Sequence, residues 1–352
     1  MRIEAWDFLK TMTIFLVVLG HCLQYMIDGN PHDIVLYSWI SSFHMPLFAT
    51  LSGLFSIKAL KTGNFLTFLK KRCQRLLLPA IIWGILIWVV DILIFDDLSL
   101  SLFIKDAIYE SLWFLKCLFI CNIFGVIAFK HQNRKKWILI SLIISQFIPV
   151  WNICIMYPCF VFGMFITKYF EIFLKYQKYT LIISGIMFFT ISLLIAFTPQ
   201  FWIITHGVKE ALINGILFKE ENYPIIQGIL IRNYGKIFTG IFGSIFLIIG
   251  SYVLTQKFSM PHFFYKVAKS GKYTIGVYLI QTIIIEMLLA PIINIPQHFS
   301  TPFIYIFFPI LSLLTVYISL LITRLICENY GILALALFGE TSKNNATKII
   351  ST

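Results

Sequence analysis

The sequence predicts an all-α, polytopic membrane protein built as a bundle of about ten transmembrane helices. Of the 352 residues, 59% are hydrophobic and only 12% are charged. The mean hydropathy is +0.86, which is far above that of a soluble domain. The apolar residues also fall in runs long enough to cross a bilayer, separated by short basic loops.

Ten hydrophobic segments are candidate spans. The fifth and sixth are short and nearly continuous, so a tight helical hairpin or a re-entrant pair is expected there. The first follows two basic residues, as in a signal peptide, but no small-residue cleavage site comes after it, and we interpret it as a retained helix. The ten segments are 11–28, 36–57, 76–95, 108–129, 137–151, 153–168, 180–197, 234–254, 273–294 and 303–327.

The basic residues predict that both termini lie in the cytoplasm. With the N-terminus inside, 22 of the 28 Lys and Arg residues fall on the cytoplasmic side, a strong bias by the positive-inside rule. The same bias accounts for the net charge of +12, so no nucleic-acid partner is expected. We expect one membrane domain over residues 1–340 and a cytoplasmic tail over 341–352.

Several chemistries lack support in the sequence. The seven cysteines are scattered and mostly lie inside spans, which argues against a disulfide framework or a metal site. The G-x-x-x-x-G-K-[ST] and G-x-G-x-x-G motifs are absent, so a nucleotide-driven pump is unsupported. The absence of H-E-x-x-H and G-x-S-x-G argues against common zinc proteases and serine hydrolases.

The first span carries a histidine at mid-depth. Lys10 and His21 are eleven residues apart, or three helical turns plus about 20°, so they share a helix face. Asp7 lies near the same face. The rise between Lys10 and His21 is about 16 Å, roughly half of the hydrocarbon core. An ionisable side chain at that depth is costly, and it is by default a candidate functional residue.

A second histidine lies in the second span. His44 is followed by Pro46, which can kink a helix and free backbone groups. A hydrogen bond to a neighbouring helix is one interpretation of such a histidine. Because the first two spans are sequential and antiparallel, His44 can also lie beside His21, which favours a functional role for both.

The basic loop before the third span predicts an anion site. Arg72 and Arg75 are three residues apart, so on a helix their side chains project within about 60° of one another. Two guanidinium groups at this spacing suit phosphate oxygens. The alternative is an ordinary positive-inside loop that contacts anionic lipid.

Four later residues are candidates for the wall of a pocket. Glu110 and Trp113 open the fourth span, where a polar mouth and an interfacial anchor are the two interpretations. Tyr278 and Glu286 lie in the ninth span. An acid at that depth is either a site residue or a hydrogen-bonded structural group.

Taken in order, these motifs resemble the acyltransferase-3 family of bacterial integral membrane acyltransferases, and its sugar O-acetylase-like subgroup in particular. Two positions depart from the wider family. Lys10 stands where arginine is frequent, although the subgroup accepts lysine, and Gln281 stands near a common histidine. The resemblance spans about residues 1–281 and rests on D-x-L-K-x-x-x-I-x-L-V-V-L-G-H ending at His21, F-H-M-P-L-F around His44, L-S-G at 51–53, R-x-x-R at Arg72 and Arg75, L-W-F-L around Trp113, and G-x-x-T-x-G-x-Y ending at Tyr278.

The resemblance implies a multi-pass protein of the bacterial cytoplasmic (inner) membrane that moves an acetyl group from acetyl-CoA to a carbohydrate hydroxyl. The implied acceptor is a surface polysaccharide such as O-antigen or its lipid-linked precursor, and no permanently bound cofactor is implied. We expect Lys10, Arg72 and Arg75 to bind the donor phosphates at the cytoplasmic face. His21 would act as general base, and His44, a backbone N–H or the Trp113 N–H would stabilise the oxyanion.

Two alternatives stay open at this stage. An acetyl-imidazole on His21 is a competing mechanism that the sequence does not separate from direct transfer. A transporter or polymerase of lipid-linked glycans would also be basic, polytopic and free of nucleotide motifs. Polymerases typically need a large outer loop with several arginines, and the stretch 198–233 contains only Arg232.

Overall fold

The structure is a computed structural model that describes residues 4–62, 64–95, 111–148, 150–198, 223–257, 267–296 and 300–340. These residues form a bundle of helices. In chain order the helices are α1 (Glu4–Tyr25), α2 (Val35–Thr62), α3 (Phe65–Arg72), α4 (Leu78–Phe95), α5 (Trp113–Lys130), α6 (Arg134–Gln146), α7 (Ile153–Lys175), α8 (Gln177–Ala196), α9 (Tyr223–Lys257), α10 (Thr274–Gln281), α11 (Phe308–Asn329) and α12 (Gly331–Phe338).

Three segments are π-helical, a form that is rare and frequent at functional sites. Cys73–Leu77 joins α3 to α4, Thr282–Leu289 continues α10, and Phe303–Phe307 leads into α11. Shorter helical turns, partly 3₁₀, occur at Pro31–Asp33, Val150–Asn152, Gly271–Tyr273 and Ser300–Pro302.

The prediction of a polytopic helical bundle is confirmed. Nine helices among the described residues are long and apolar enough to cross a membrane, and they correspond to nine of the ten predicted segments. The tenth, predicted at 137–151, is the 13-residue helix α6. At 1.5 Å per residue α6 is about 20 Å long, less than the ~30 Å hydrocarbon core. The predicted tail 341–352 lies outside the described residues, and the orientation stays a prediction.

Helix α2 lies at the centre of the bundle, where it packs against α1, α7, α8 and α9. Its closest neighbour is α7, and glycines permit the approach. A Cβ on Gly53 would run into the Phe160 carbonyl of α7, and a Cβ on Gly163 would run into the Thr50 carbonyl of α2. Small residues at a crossing let two backbones touch, as is common in membrane helix packing.

A short backbone contact joins the end of α1 to the segment that follows Thr282–Leu289. The amide of Asp28 donates to the Ile295 carbonyl at 3.0 Å, and the Ile295 amide donates to the Met26 carbonyl at 3.0 Å. These two bonds hold the far end of α1 against the end of the π-helical segment. They therefore fix the depth at which side chains of the two elements meet.

The glycine crossing gives a stability prediction. We expect Gly163→Ala to destabilise the fold by about 1–3 kcal/mol, because the added methyl group meets a backbone carbonyl that cannot rotate away. The measurement is the melting temperature of the purified protein in detergent. Gly250→Ala is the matched control, since its Cβ would meet only the Leu181 side chain at 3.6 Å. Equal melting temperatures for the two variants would contradict the tight crossing.

Candidate active site

Two cavities lie end to end in the bundle. The larger, which we call the arginine cavity, has a volume of about 700 Å³ and is lined by Lys10, Arg72 and Arg75, among others. The smaller, which we call the histidine cavity, has a volume of about 240 Å³ and is lined by His21 and His44, among others. Ligand pockets commonly measure about 300–1,000 Å³, so the larger cavity suits a whole ligand and the smaller one part of a ligand.

The mouth of the arginine cavity is cationic. Its lining contains four basic side chains, on Lys10, Arg72, Arg75 and Lys272. The two acidic residues of the lining are Asp7 and Glu340, and each forms an ion pair with one of the basic residues. The net charge of the lining is therefore positive, as an anionic ligand requires.

Arg72 is held in place by its neighbours. One guanidinium nitrogen, Nη2, donates to the Ser56 hydroxyl at 2.9 Å, and the Ser56 hydroxyl lies 2.8 Å from the side-chain oxygen Oδ1 of Asn122. The guanidinium also lies over the Phe68 ring, 4.9 Å from its centroid. An arginine has five N–H donors, and the bond to Ser56 uses only one donor of this side chain, which lines the cavity.

Arg75 has a different partner. Its Nη2 lies 2.6 Å from Glu340 Oε1, in an ion pair that is half exposed on the arginine side. Glu340 reaches this position because Gly339 adopts a left-handed φ of +65°, with its Cα packed against the backbone of residues 74–75. The residues that follow α12 are therefore held against the mouth of the cavity by the ion pair between Glu340 and Arg75. Exposed ion pairs are weak, so a stronger anion can displace the carboxylate.

The deep end of the arginine cavity is apolar. Helix α1 contributes Ile14 and Val17, and helix α5 contributes Phe114 and Leu118. Tyr278 from α10 completes this end, with its ring 6.3 Å from the ring of Phe114. The cavity thus passes from charged groups at one end to hydrocarbon side chains near the middle of the bundle.

His21 is paired with a carboxylate. Its Nδ1 lies 2.7 Å from Glu286 Oε1, and both side chains are about one fifth exposed. An ionised carboxylate can only accept, so Nδ1 carries the proton and Nε2 keeps a lone pair. This arrangement orients the ring and stabilises the imidazolium that forms when Nε2 takes a proton.

The π-helical segment is what brings Glu286 to His21. Gln281 Nε2 lies 3.4 Å from the same His21 nitrogen, although it is five residues before Glu286. On an α-helix two such residues would be rotated about 140° apart. In a π-helix the hydrogen bonds run over five residues, so Gln281 and Glu286 reach one side of the element. Both then face α1.

His44 makes a different bond. Its Nδ1 lies 2.7 Å from the Ile40 carbonyl oxygen, and the side chain is buried. A carbonyl only accepts, so Nδ1 carries the proton and a neutral His44 presents Nε2 as an acceptor. This geometry does not suit the oxyanion-stabilising role considered for His44 above. It suits a group that accepts a hydrogen bond from a substrate hydroxyl.

The lining of the histidine cavity also includes His32 and Lys236. His32 lies outside the spans, between α1 and α2. Burial, together with the charges of Lys236 and Arg232, lowers the pKa of His32 to about 4. His32 is therefore neutral near pH 7. Gln24 and Tyr37 complete this part of the lining, and the Tyr37 hydroxyl donates to the Gln24 side-chain oxygen at 3.3 Å.

Two helices begin at the histidine cavity. Trp113 is the first residue of α5 and Asn152 precedes α7, and both line the cavity. The chain enters each helix through left-handed residues, with φ of 51° at Leu112, 52° at Trp151 and 54° at Asn152. Such conformations cost free energy for residues other than glycine. Helix starts carry free N–H groups and a partial positive charge.

The structure therefore divides the predicted site residues into two groups. Asp7, Lys10, Arg72, Arg75 and Tyr278 line the arginine cavity. His21, His44 and Trp113 line the histidine cavity, with Glu286 bonded to His21. Glu110 lies outside the described residues.

Several residues of the two cavities were not among the sequence predictions. Lys272 and Glu340 line the arginine cavity, and Lys236 and His32 line the histidine cavity. Gln281, to which no role was assigned from the sequence, is fully buried beside His21. Only Gln281 had a signal in the sequence, because it stands inside a span near a position where the family commonly has a histidine.

Comparison with known proteins identifies relatives. The model of the acyltransferase-3 family, described as an acyltransferase domain, matches residues 3–324. Nodulation protein NolL of Mesorhizobium japonicum is 32% identical over 154 residues, which cover 42% of this chain and 41% of NolL. NolL of Sinorhizobium fredii is 30% identical over 155 residues, with 42% of each chain covered.

The chain thus spans about two fifths of the length of the curated relatives that it matches. No solved structure matches the fold. The family match, in contrast, extends over nearly the whole chain and includes every residue named in the lining of either cavity except Glu340. The chain is a multi-pass membrane protein that belongs to the acyltransferase-3 family.

Proposed function

We propose that this protein is an O-acetyltransferase of the bacterial cytoplasmic membrane. It transfers an acetyl group from cytoplasmic acetyl-CoA to a hydroxyl of a surface polysaccharide sugar or its lipid-linked precursor. One observation carries the proposal. A cationic cavity ends in an apolar region, and directly beyond that end lies an imidazole bonded to a carboxylate.

The arginine cavity suits acetyl-CoA. The CoA moiety carries several phosphate charges at one end and a long, thin arm at the other. Arg72, Arg75, Lys10 and Lys272 supply cations for the phosphates at the mouth. The apolar walls beyond them suit the arm and its thioester, which then lies at the deep end near Val17.

The histidine cavity suits the acceptor hydroxyl. His21 Nε2 takes the hydroxyl proton as the oxygen attacks the thioester carbonyl carbon, and Glu286 stabilises the resulting imidazolium. A new C–O bond forms, the C–S bond breaks, and the proton passes from Nε2 to the departing sulfur. The products are the acetyl ester and CoA. The indole and backbone N–H groups of Trp113, at the start of α5 in the lining of this cavity, are candidate oxyanion donors.

His21 is better suited than His44 to be the base. Both rings present a free Nε2, but only His21 has an anion on its other nitrogen. The partner of His44 is a neutral carbonyl. A cationic His44 would therefore be less stable than a cationic His21. We propose that His44 orients the acceptor hydroxyl by accepting a hydrogen bond from it.

An alternative within the same site is a covalent acetyl-imidazole on His21. The rival function, transport or polymerisation of lipid-linked glycans, explains the cationic cavity through phosphate binding. It gives no role to the paired imidazole beyond the apolar end of that cavity. Membership of an acyltransferase family also favours acyl transfer.

The first prediction concerns His21. We expect His21→Ala to lower acetyl transfer by about 10²–10⁴-fold, because the general base is lost. The measurement is incorporation of radiolabel from [¹⁴C]acetyl-CoA into the glycan fraction of membranes, with the glycan O-acetyl signal followed by NMR. His131→Ala is the control, since His131 is exposed at the end of α5 and lines neither cavity. Retained transfer by correctly inserted His21→Ala would end this mechanism. A shortened glycan with no change in acetylation would favour the rival function.

The second prediction concerns Glu286. The Glu286→Gln side chain can donate to His21 Nδ1, which would place the ring proton on Nε2 and block the base. We expect kcat to fall by about 10²-fold or more, while the KM for acetyl-CoA stays unchanged because Glu286 lies outside the arginine cavity. Glu286→Asp is expected to restore part of kcat, and Glu328→Gln, on the exposed end of α11, serves as the control. A rise in KM with kcat intact would show that Glu286 has another role.

The third prediction distinguishes the contributions of Arg72 and Arg75 to acetyl-CoA binding. We expect Arg72→Gln to weaken acetyl-CoA binding by about 10–100-fold, since a charge-assisted hydrogen bond contributes about 1.5–3 kcal/mol. Glu340→Gln should strengthen binding by up to about 5-fold, because it frees Arg75 from an exposed ion pair. Isothermal titration of the detergent-purified protein with acetyl-CoA measures both. Arg324→Gln breaks a comparable exposed pair with Glu328 that lines neither cavity, and it should have no effect. Weaker acetyl-CoA binding by the Glu340→Gln variant would contradict the assignment of the Arg75–Glu340 pair to the mouth of the donor cavity.

A further inference from the structure

Met45 lines both cavities. Among the described residues, it alone belongs to the lining of the arginine cavity and to that of the histidine cavity. Its side chain is 7% exposed. On α1 the arginine cavity extends to Val17 and the histidine cavity begins at Gly20, so the boundary lies at the same depth on both helices.

The backbone around Met45 is held in place. His44 bonds to the Ile40 carbonyl at 2.7 Å, and the Thr50 hydroxyl donates to the Pro46 carbonyl at 3.0 Å. Pro46 packs so closely against Gly240 of α9 that a Cβ on this glycine would collide with the proline ring. The backbone at the boundary is therefore fixed, and among the described residues the side chain that contacts both cavities is that of Met45.

The residue type suits movement of the side chain. Methionine is unbranched and has three rotatable side-chain bonds, so it can fill a gap and also leave it at low cost. Rotation about these bonds changes the rotamer without any change in α2. The proposed reaction needs such an opening, because His21 lies in one cavity and the thioester in the other.

We propose that Met45 is a movable partition that separates the donor thioester from the acceptor cavity until the acceptor is bound. This inference rests on the proposed function. With the partition closed, water in the histidine cavity has no path to the thioester, and Met45 thereby favours the acceptor over water as the nucleophile. Without it, water would attack the thioester carbonyl carbon, a C–O bond would form and the C–S bond would break. Acetate and CoA would result, and the proton lost by water would pass to the sulfur.

The first test measures CoA release from acetyl-CoA by purified protein in nanodiscs without any acceptor, using a thiol reagent. We expect Met45→Ala to raise this hydrolysis at least 10-fold over wild type. Met45→Leu, which conserves the side-chain volume, should remain at the wild-type rate. The double variant Met45→Ala, His21→Ala should return to a low rate, because the base that activates water is lost. A Met45→Ala protein that binds acetyl-CoA and releases CoA at the wild-type rate would overturn the partition.

The two proposals fail in different ways. If wild-type membranes transfer radiolabelled acetyl to glycan while Met45→Ala shows no added hydrolysis, only the partition is wrong. If wild-type protein neither binds acetyl-CoA nor transfers acetyl, the proposed function is wrong, and the second test below then decides the position of Met45 on its own.

The second test uses thiol labelling and needs no activity. In a chain whose seven cysteines are replaced, Met45→Cys should react with a charged, membrane-impermeant reagent from either face of oriented vesicles. Leu118→Cys, which lines only the arginine cavity, should react from one face, and Met156→Cys, which lines only the histidine cavity, from the other. Labelling of Met45→Cys from a single face, or from neither, would overturn the inference.

Discussion

The bond between His21 Nδ1 and Glu286 Oε1, at 2.7 Å, is the interaction on which the proposed chemistry depends. It joins two groups that are each costly inside a membrane-spanning bundle. By holding the proton on Nδ1 it leaves Nε2 free toward the histidine cavity. The surrounding fold accordingly holds the Glu286 carboxylate and the His21 imidazole at the same depth in the bundle.

Two local departures from regular helix maintain that bond. The π-helical segment Thr282–Leu289 places Glu286 on the side of Gln281, toward α1. The paired backbone bonds at Ile295 prevent α1 and this segment from sliding past each other. Both features cost regular hydrogen bonding locally, and π-helical turns are common where function requires such an irregularity.

Much of the fold followed from hydropathy, because a span needs little more than length and apolar composition. The break at Trp151 and Asn152 was expected, and the chain is left-handed there. The length of α6 was not, because the apolar pattern continues beyond Gln146, where the helix ends. In the site, the spacing of Lys10 and His21 predicted a shared face of α1, and in the structure Lys10 lines the arginine cavity and His21 the histidine cavity. Glu340 and Lys236 could not be predicted, because tertiary packing alone brings them to the cavities. The pairing of Glu286 required a π-helix, which periodicity does not reveal.

Among the described residues, the two cavities are lined by different residues of the chain and share only Met45. Substitutions around His32 or Met156 can reshape one compartment and leave the charged mouth around Arg72 untouched. The ligand of each compartment can thus diverge independently over evolutionary time. Under the proposed function, such modularity would allow one scaffold to keep a constant metabolic donor while its recipient molecules diversify from lineage to lineage.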